Sequence, residues 1–259
     1  MALLQVDHMT HFFGGLRAVH DYNLSLEAGQ IRGLIGPNGA GKTTVFNLLT
    51  GIHTPTEGHI LLDGQEITGK PPHRIASLGL ARTFQNLCLW RHMTVLEHVK
   101  MARYSRISYG LMGAFFGTPK RHREEAAIEA KAHTLLQLVG IDHLADQVVV
   151  NLPYGAQRRV ELARALAIEP KVLFLDEPTA GMNPEELVQM MEIIRRVHAE
   201  FDLAIYLIEH RLKMVMELCE VIQTLVFGEV VAEGPPEEIQ TNPVVIEAYL
   251  GKEGVESSC

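Results

Sequence analysis

The sequence predicts an α/β fold in which strands and crossover helices alternate around a parallel sheet. A β-rich segment precedes it and a helical stretch interrupts it. Three observations carry this reading. A glycine-rich loop, "GPNGAGKTT", stands between an apolar run and a helix. The buried-strand runs "VLFLD" and "LAIYLIEH" are separated by one amphipathic stretch. Helical spacing then dominates from about Thr94 to Leu144.

Taken in order, residues 3 to 35 alternate short apolar stretches with turn residues such as "EAGQ" (Glu27 to Gln30), which reads as β-rich. "HILLDGQEIT" adds a strand and a tight Asp63-Gly64 turn. "REEAAIEAKAHTLLQLVG" carries apolar residues at three- and four-residue spacing and ends in Gly140, a helix C-cap. In "NPEELVQMMEIIRRVHAE", Pro184 suits the first turn of a helix. The tail "PPEEIQTNPVVIEAYLG" is expected to close with one more short helix. No internal repeat and no low-complexity segment is evident.

With 259 residues, 47% hydrophobic and 21% charged, the chain has ample length for a buried core. A formal charge of −8 argues against an electrostatic grip on DNA or RNA, so no nucleic-acid partner is expected. Cys88, Cys219 and Cys259 show no paired spacing, so neither a disulfide framework nor a zinc site is indicated, and a reducing compartment is expected. The start "MALLQVDHMTHFF" lacks the basic and apolar regions of a signal peptide. No apolar run approaches the roughly eighteen residues needed to cross a bilayer. Work at a membrane would require another chain as anchor.

The loop states its chemistry. Gly36, then Gly41, Lys42 and Thr43, fit the phosphate-loop spacing, in which bare backbone N–H groups surround phosphate oxygens. The helix that follows turns its positive end to the same anion. Lys42 would reach the β- and γ-phosphates, and the Thr43 hydroxyl would hold Mg²⁺. Downstream, Asp176 and Glu177 end an apolar strand, where a parallel sheet delivers side chains to a ligand crevice. Asp176 would hold Mg²⁺ through water and Glu177 would polarise the attacking water.

With "NLPYGAQRRVELARALA" between these motifs, the sequence resembles the ATP-binding-cassette (ABC) ATPase family. The resemblance implies a P-loop NTPase with a mixed-sheet core, an N-terminal antiparallel β subdomain and an inserted helical subdomain. It implies one domain over 1–251, with the core at 1–90 and 151–251, the helical insertion at 91–150 and a tail at 252–259. ATP would be bound by Phe13, Gly36, Pro37, Asn38, Gly39, Ala40, Gly41, Lys42, Thr43 and Thr44. Phe13 matches the aromatic that stacks on adenine. Phe12 points to the opposite face of the strand, so one of the two is expected in the core. Gln85, in "RTFQN", resembles the residue that touches both Mg²⁺ and the attacking water. His210, in "LIEH", resembles the switch histidine that contacts the γ-phosphate. The catalytic set is therefore Glu177, His210 and Gln85, with Thr43, Gln85 and Asp176 on the metal. The signature Leu152, Pro153, Tyr154, Gly155, Ala156 and Gln157 would meet the ATP of a second subunit, so two chains sandwich two nucleotides. Asn183 occupies the D-loop position.

Three places depart from the family's commonest wording. Pro153 replaces a serine and offers neither hydroxyl nor N–H. Asn183 replaces an aspartate, keeping a hydrogen bond without the charge. Arg211 follows His210 where an acidic residue is usual.

More specifically, "FGGLRAV", "ARTFQN", "MTVLEHV", "LPYGAQRR", "LIEH" and "NPVVIEAYLG" resemble the ATP-binding subunits of branched-chain amino acid importers, the Liv type, from about Leu3 to Gly251. This implies two membrane permease subunits, a second ATP-binding subunit, an extracytoplasmic substrate-binding protein and a peripheral place on the cytoplasmic face of the membrane. Importers of urea or short amides and exporters of lipid-linked polysaccharide remain open. So does a soluble ABC ATPase, although long coiled coils, tandem cassettes and a basic surface are missing. The stretch Arg106 to Glu125 and Trp90 are candidates for a permease contact, with a small internal core and a solvated loop as the other reading of that stretch.

Overall fold

The computed structural model describes residues 2–104 and 119–250. The chain divides into two compact units. One comprises Met1–Arg82, Lys171–Glu177 and His198–Cys259; the other comprises Thr83–Pro170 and Pro178–Val197.

Both sheets belong to the first unit. β1 (Ala2–Phe13) and β2 (Leu16–Glu27) form a long antiparallel ribbon, with β4 (Glu57–Leu62) and β5 (Gln65–Glu66) added in the order β2-β1-β4-β5. Along β2 burial alternates over its last residues, the pattern of a strand with one covered face. The β4–β5 turn is tight as expected, Asp63 and Gly64 both taking positive φ of 50° and 72°. The second sheet runs β10-β9-β3-β8-β7-β6. Its strands are β3 (Ile31–Ile35), β6 (Leu80–Arg82), β7 (Val172–Asp176), β8 (Ala204–Ile208), β9 (Val221–Val226) and β10 (Glu229–Gly234). β3, β7 and β8 are buried at every residue, which is why they read as unbroken apolar runs. β9 and β10 pair antiparallel at the edge, so the sheet is mixed.

Helix α1 (Lys42–Leu49) packs into the core these sheets share. Phe46 on α1 lies 4.7 Å from Phe174 and 5.3 Å from Tyr206, ring centre to ring centre. The Tyr22 hydroxyl meets that of Tyr206 and donates to Gln223 Oε1 at 2.6 Å, so one buried polar cluster joins the two sheets. Short helices α2 (Pro72–Ser77), α7 (Leu212–Leu218), α8 (Pro236–Thr241) and α9 (Pro243–Leu250) complete this unit. The tail thus holds two helices rather than one. Asn242 is extended, with ψ 119°, and Pro243 has no N–H to continue α8.

The second unit is helical. α3 (Val95–Arg103), α4 (Pro119–Leu138) and α5 (Tyr154–Ala167) pack together, and α6 (Pro184–Phe201) joins them over its residues up to Val197. α3 opens with a capping box, Thr94 accepting from Glu97 N and Glu97 accepting from Thr94 N. α4 stops as its sequence indicates. Gly140 takes φ 74°, its N–H donates to Gln137, and the Ile141 N–H donates to Leu136. Of the stretch Arg106 to Glu125, residues 106–118 lie outside the described residues, as does the tail 252–259.

Candidate active site

The phosphate loop connects β3 to α1. At Gly36 (φ 152°) a β-carbon would stand 2.1 Å from the Leu225 carbonyl oxygen, and at Gly41 (φ 104°) 2.8 Å from that of Ala18. Both glycines are therefore required by close backbone approach as well as by their dihedrals. Asn38 and Gly39 are exposed at the loop tip, Ala40 is buried beneath it, and the Thr43 hydroxyl-bearing residue is exposed. α1 begins without a side-chain cap and without an acidic residue in its first turn. Its positive end is left for an external anion. The Lys42 ammonium donates to the carbonyls of Gly36 (2.7 Å) and Pro37 (2.9 Å), ligands that the loop itself supplies. Burial holds the Lys42 pKa below its usual value, while Glu177 and Asp176 oppose that shift.

The ends of β7 and β8 present the acidic and imidazole groups. Asp176 ends β7, in register with Ile208. Glu177 follows with φ 48°, and its N–H donates to the Ile208 carbonyl at 2.9 Å. A glutamate in the left-handed region marks a backbone held out of its preferred wells, a feature common at functional sites. His210 Nε2 lies 2.6 Å from Glu177 Oε1. Glu209 is buried and accepts from the N–H groups of His210 (2.9 Å) and Arg211 (3.1 Å), which fixes the turn carrying the histidine.

Phe13 corrects one expectation. Phe12 and Phe13 are 40% and 45% exposed, so neither is core. The last β1–β4 pair is Thr10 with Glu57, so the ribbon tip that pairs Phe12 with Arg17 and Phe13 with Leu16 projects beyond its in-sheet neighbour. Phe13 instead meets His11 edge-on at 4.6 Å and His53 at 5.3 Å, leaving an aromatic surface at the ribbon tip.

The remaining predicted residues lie in the helical unit. α5 starts at Tyr154 after Pro153, again with no side-chain cap and no acid in its first turn. Gln157 Nε2 donates to the Leu152 carbonyl at 2.8 Å, closing the signature on itself. A β-carbon at Gly155 would stand 2.7 Å from Glu186 Oε1, so a larger residue there would push the Glu186 carboxylate aside. Arg158 is buried and donates to the carbonyls of Phe84 (2.7 Å) and Gln85, to the Tyr154 hydroxyl (2.6 Å) and to Glu161 (3.1 Å). The signature helix therefore holds the backbone of Gln85. Asn183 caps α6: its Oδ1 accepts from the N–H groups of Glu185 (3.0 Å) and Glu186 (2.9 Å), and the Glu186 carboxylate accepts from the Asn183 N–H at 3.0 Å.

Sequence reasoning missed two contacts of the loop and strands. The Gly36 N–H donates to the Tyr249 hydroxyl on α9 at 2.8 Å, a link no local motif announces. Arg82 donates to Asp176 Oδ2 at 2.7 Å; the signal available was a lone cation three residues before Gln85 on a short buried strand.

With this geometry described, likeness to known proteins gains meaning. A family profile described as ABC transporter matches residues 19–180. The chain belongs to the ABC transporter family. Members of this family bind nucleotide and hydrolyse ATP, and this cassette is an ATPase of that kind. A second profile, described as branched-chain amino acid ATP-binding cassette transporter, matches residues 229–255. The high-affinity branched-chain amino acid transport ATP-binding protein BraF of Pseudomonas aeruginosa is 44% identical over 251 residues, 96% of this chain and 98% of the relative. LivG of Escherichia coli K12, with the same descriptive name, is 44% identical over 250 residues, covering 96% of this chain and 98% of the relative. A probable LivG of Archaeoglobus fulgidus is 37% identical over 262 residues, 100% of this chain and 99% of the relative. Among solved structures, the ADP conformation of an ATP-binding cassette of an ABC transporter superposes with a TM-score of 0.84 at 29% identity, covering 97% of this chain and 100% of that one.

Proposed function

We propose that this cassette is the ATP-hydrolysing subunit of an importer for branched-chain amino acids, working on the cytoplasmic face of a membrane with two permease subunits. The observation that carries the ATPase part is the phosphate loop closed by Gly36 and Gly41 and continued by the uncapped start of α1. The 44% identity to BraF and LivG over nearly the full chain supports the amino acid class. Among the described residues no helix is long and apolar enough to cross a membrane. The proposed permeases would therefore supply the membrane path.

Roles follow from side-chain chemistry. Lys42 moves its ammonium from the loop carbonyls to the β- and γ-phosphates, offsetting charge on the transferred phosphoryl. Glu177 orients the attacking water and accepts its proton, and His210 reaches the γ-phosphate from the end of β8. Phe13 stacks on adenine. The donor set suits Mg²⁺: a threonine hydroxyl and a buried aspartate are hard oxygen donors. Among the described residues no group of three or more His, Cys, Asp or Glu gathers to cage an ion. A cation here would take further ligands from phosphate and water, with Thr43 and Asp176 as the share of the phosphate-loop unit; a role for Gln85 is proposed from its motif alone. When bound, Mg²⁺ supplies charge neutralisation between the β- and γ-oxygens. Leu152 to Gln157, led by the bare start of α5, complete the site of a second ATP-binding subunit.

Reconstitution with two permeases and a binding protein tests this proposal. ATP-dependent uptake of labelled leucine, with none of urea, is expected. Uptake of urea alone would move the substrate assignment to the amide importers.

A further inference from the structure

Arg82 ends β6, a three-residue strand beside β7. Its guanidinium is buried and serves three partners. Nη2 donates to Asp176 Oδ2 at 2.7 Å, and Nη1 donates to Asn47 Oδ1 at 2.8 Å and Thr50 Oγ1 at 3.2 Å. Its carbon lies 5.4 Å from the centre of the Phe46 ring, so the fork is also stacked. The side chains of Arg82 and Asp176 are only 6% and 2% exposed. Asn47 and Thr50 ride on the helix that begins with Lys42 and Thr43, whereas Asp176 ends a strand from a distant part of the sequence. One rigid, planar cation therefore fastens the carboxylate to the phosphate-loop helix. It takes Oδ2 in a fixed direction, which orients Oδ1. A lysine has no fork with which to span both elements.

We infer that Arg82 is a positioning residue for the metal–nucleotide complex: it holds Asp176 on β7 in fixed relation to Thr43 on α1, so that the two metal-side oxygens are preorganised. The inference rests on the reading of Asp176 and Thr43 as metal-side donors. Partners that orient a ligand are worth roughly 10- to 100-fold in metal affinity when lost. Nucleotide binding without metal uses the loop N–H groups and Lys42, and the Arg82 bonds to Asp176, Asn47 and Thr50 go to neither.

The test uses the full chain and a non-hydrolysable ATP analogue, titrated with Mg²⁺ and with EDTA; the readout is the ratio of the two affinities. In R82M the ratio is expected to fall at least about tenfold, with the EDTA affinity nearly unchanged. R82K should recover only part of the loss. D176N separates the two levels of the argument. A collapsed ratio in D176N with a normal ratio in R82M overturns the Arg82 inference alone. A normal ratio in D176N removes the metal role of Asp176 itself. An equal loss with and without metal in R82M makes Arg82 merely structural and also overturns the inference. Should R82M fail to fold, N47A removes one anchor of the fork and leaves the ion pair; a drop of roughly two- to tenfold in the ratio is then expected, and no change refutes the inference.

Discussion

Replacing Arg158 by methionine would strip the helical unit of its most connected buried charge. Glu161 is 1% exposed, and the bond from Arg158 at 3.1 Å is its close ionic contact; Arg164 stands farther off, at 3.9 Å. Without Arg158 the carboxylate remains buried with two long contacts, Arg164 at 3.9 Å and the Cys88 N–H at 3.4 Å, a change that typically costs about 3–5 kcal/mol. The Phe84 and Gln85 carbonyls and the Tyr154 hydroxyl also lose their donor. At about 2–4 °C per kcal/mol for a chain of this size, the melting midpoint should drop on the order of 10 °C.

The pH dependence identifies the cause. Burial raises the Glu161 pKa above the usual carboxylate range, with Arg158 and then Arg164 opposing it. Removing Arg158 takes away the larger opposing charge, so the carboxyl climbs further. A carboxyl raised in the folded state favours folding as pH falls, because the folded chain then binds the proton that the unfolded chain does not. The cost of R158M should therefore be full at neutral pH and shrink as the solution is acidified through the raised value. Scanning calorimetry of wild type, R158M, E161Q and the double variant at pH 7 and pH 5 reads this directly. E161Q placed on R158M should restore much of the loss at pH 7. A gap between wild type and R158M that ignores both pH and E161Q would refute the buried-charge argument.

Other consequences follow. E177Q should still bind ATP and dimerise on gel filtration while turnover falls at least about 100-fold; near-normal turnover removes Glu177 from the chemistry. Y249F takes the acceptor from the Gly36 N–H, so ATP affinity measured by equilibrium binding should weaken roughly two- to tenfold, and no change would disconnect α9 from the loop. His98 is buried, its Nε2 accepting from the Trp90 N–H at 2.9 Å and its Nδ1 donating to Thr94 at 2.8 Å, and burial lowers its pKa. A depressed imidazole stays neutral in the folded chain at the ordinary histidine value of about 6.5, so this contact is lost only further down, as the pH falls through the lowered value and Nε2 gains a proton. Emission from Trp90, the sequence's single tryptophan, should change in that window, and H98N should abolish the change. Trp90, 53% exposed, should be dispensable for ATP binding yet needed for uptake in the reconstituted complex; normal uptake by W90A excludes it from the permease contact.

Legibility followed the range of the interaction. The phosphate loop, the β7 and β8 strands, the Asp63-Gly64 turn and the Gly140 helix stop were readable because each is dictated by neighbours in sequence. Phe12 was misjudged because strand alternation assumes a covering layer, and the tip of the β1–β2 ribbon leaves Phe12, Phe13 and Leu16 all exposed. The tail hid its division at Asn242-Pro243, where apolar spacing runs on across a backbone break. Arg82, Arg158 and Tyr249 were invisible for a different reason. Their partners lie 94, 73 and 213 residues away, and a lone polar residue carries no period. Such residues acquire meaning only when the fold supplies the other half of the bond.

Helix starts draw the remaining distinction. Consider the described helices of eight or more residues whose N-cap residues are also described. α3 is capped by Thr94, α6 by Asn183, and α9 by the Asn242 side chain, which accepts from Val244 N at 2.9 Å. α1 and α5 have neither a side-chain cap nor an acid in the first turn. Leaving a helix start bare forgoes about 1 kcal/mol that a serine or asparagine would contribute, and a chain that caps its other long helices does not lack the means. The two exceptions are the two segments that the motifs assign to phosphate. On the proposed reading, each of these anion-seeking helix ends, one following the loop that holds Lys42 and one led by Leu152 and Pro153, is suited to meeting a phosphate. On the same reading Pro153 removes one hydroxyl donor from the segment, while the helix end still supplies the field.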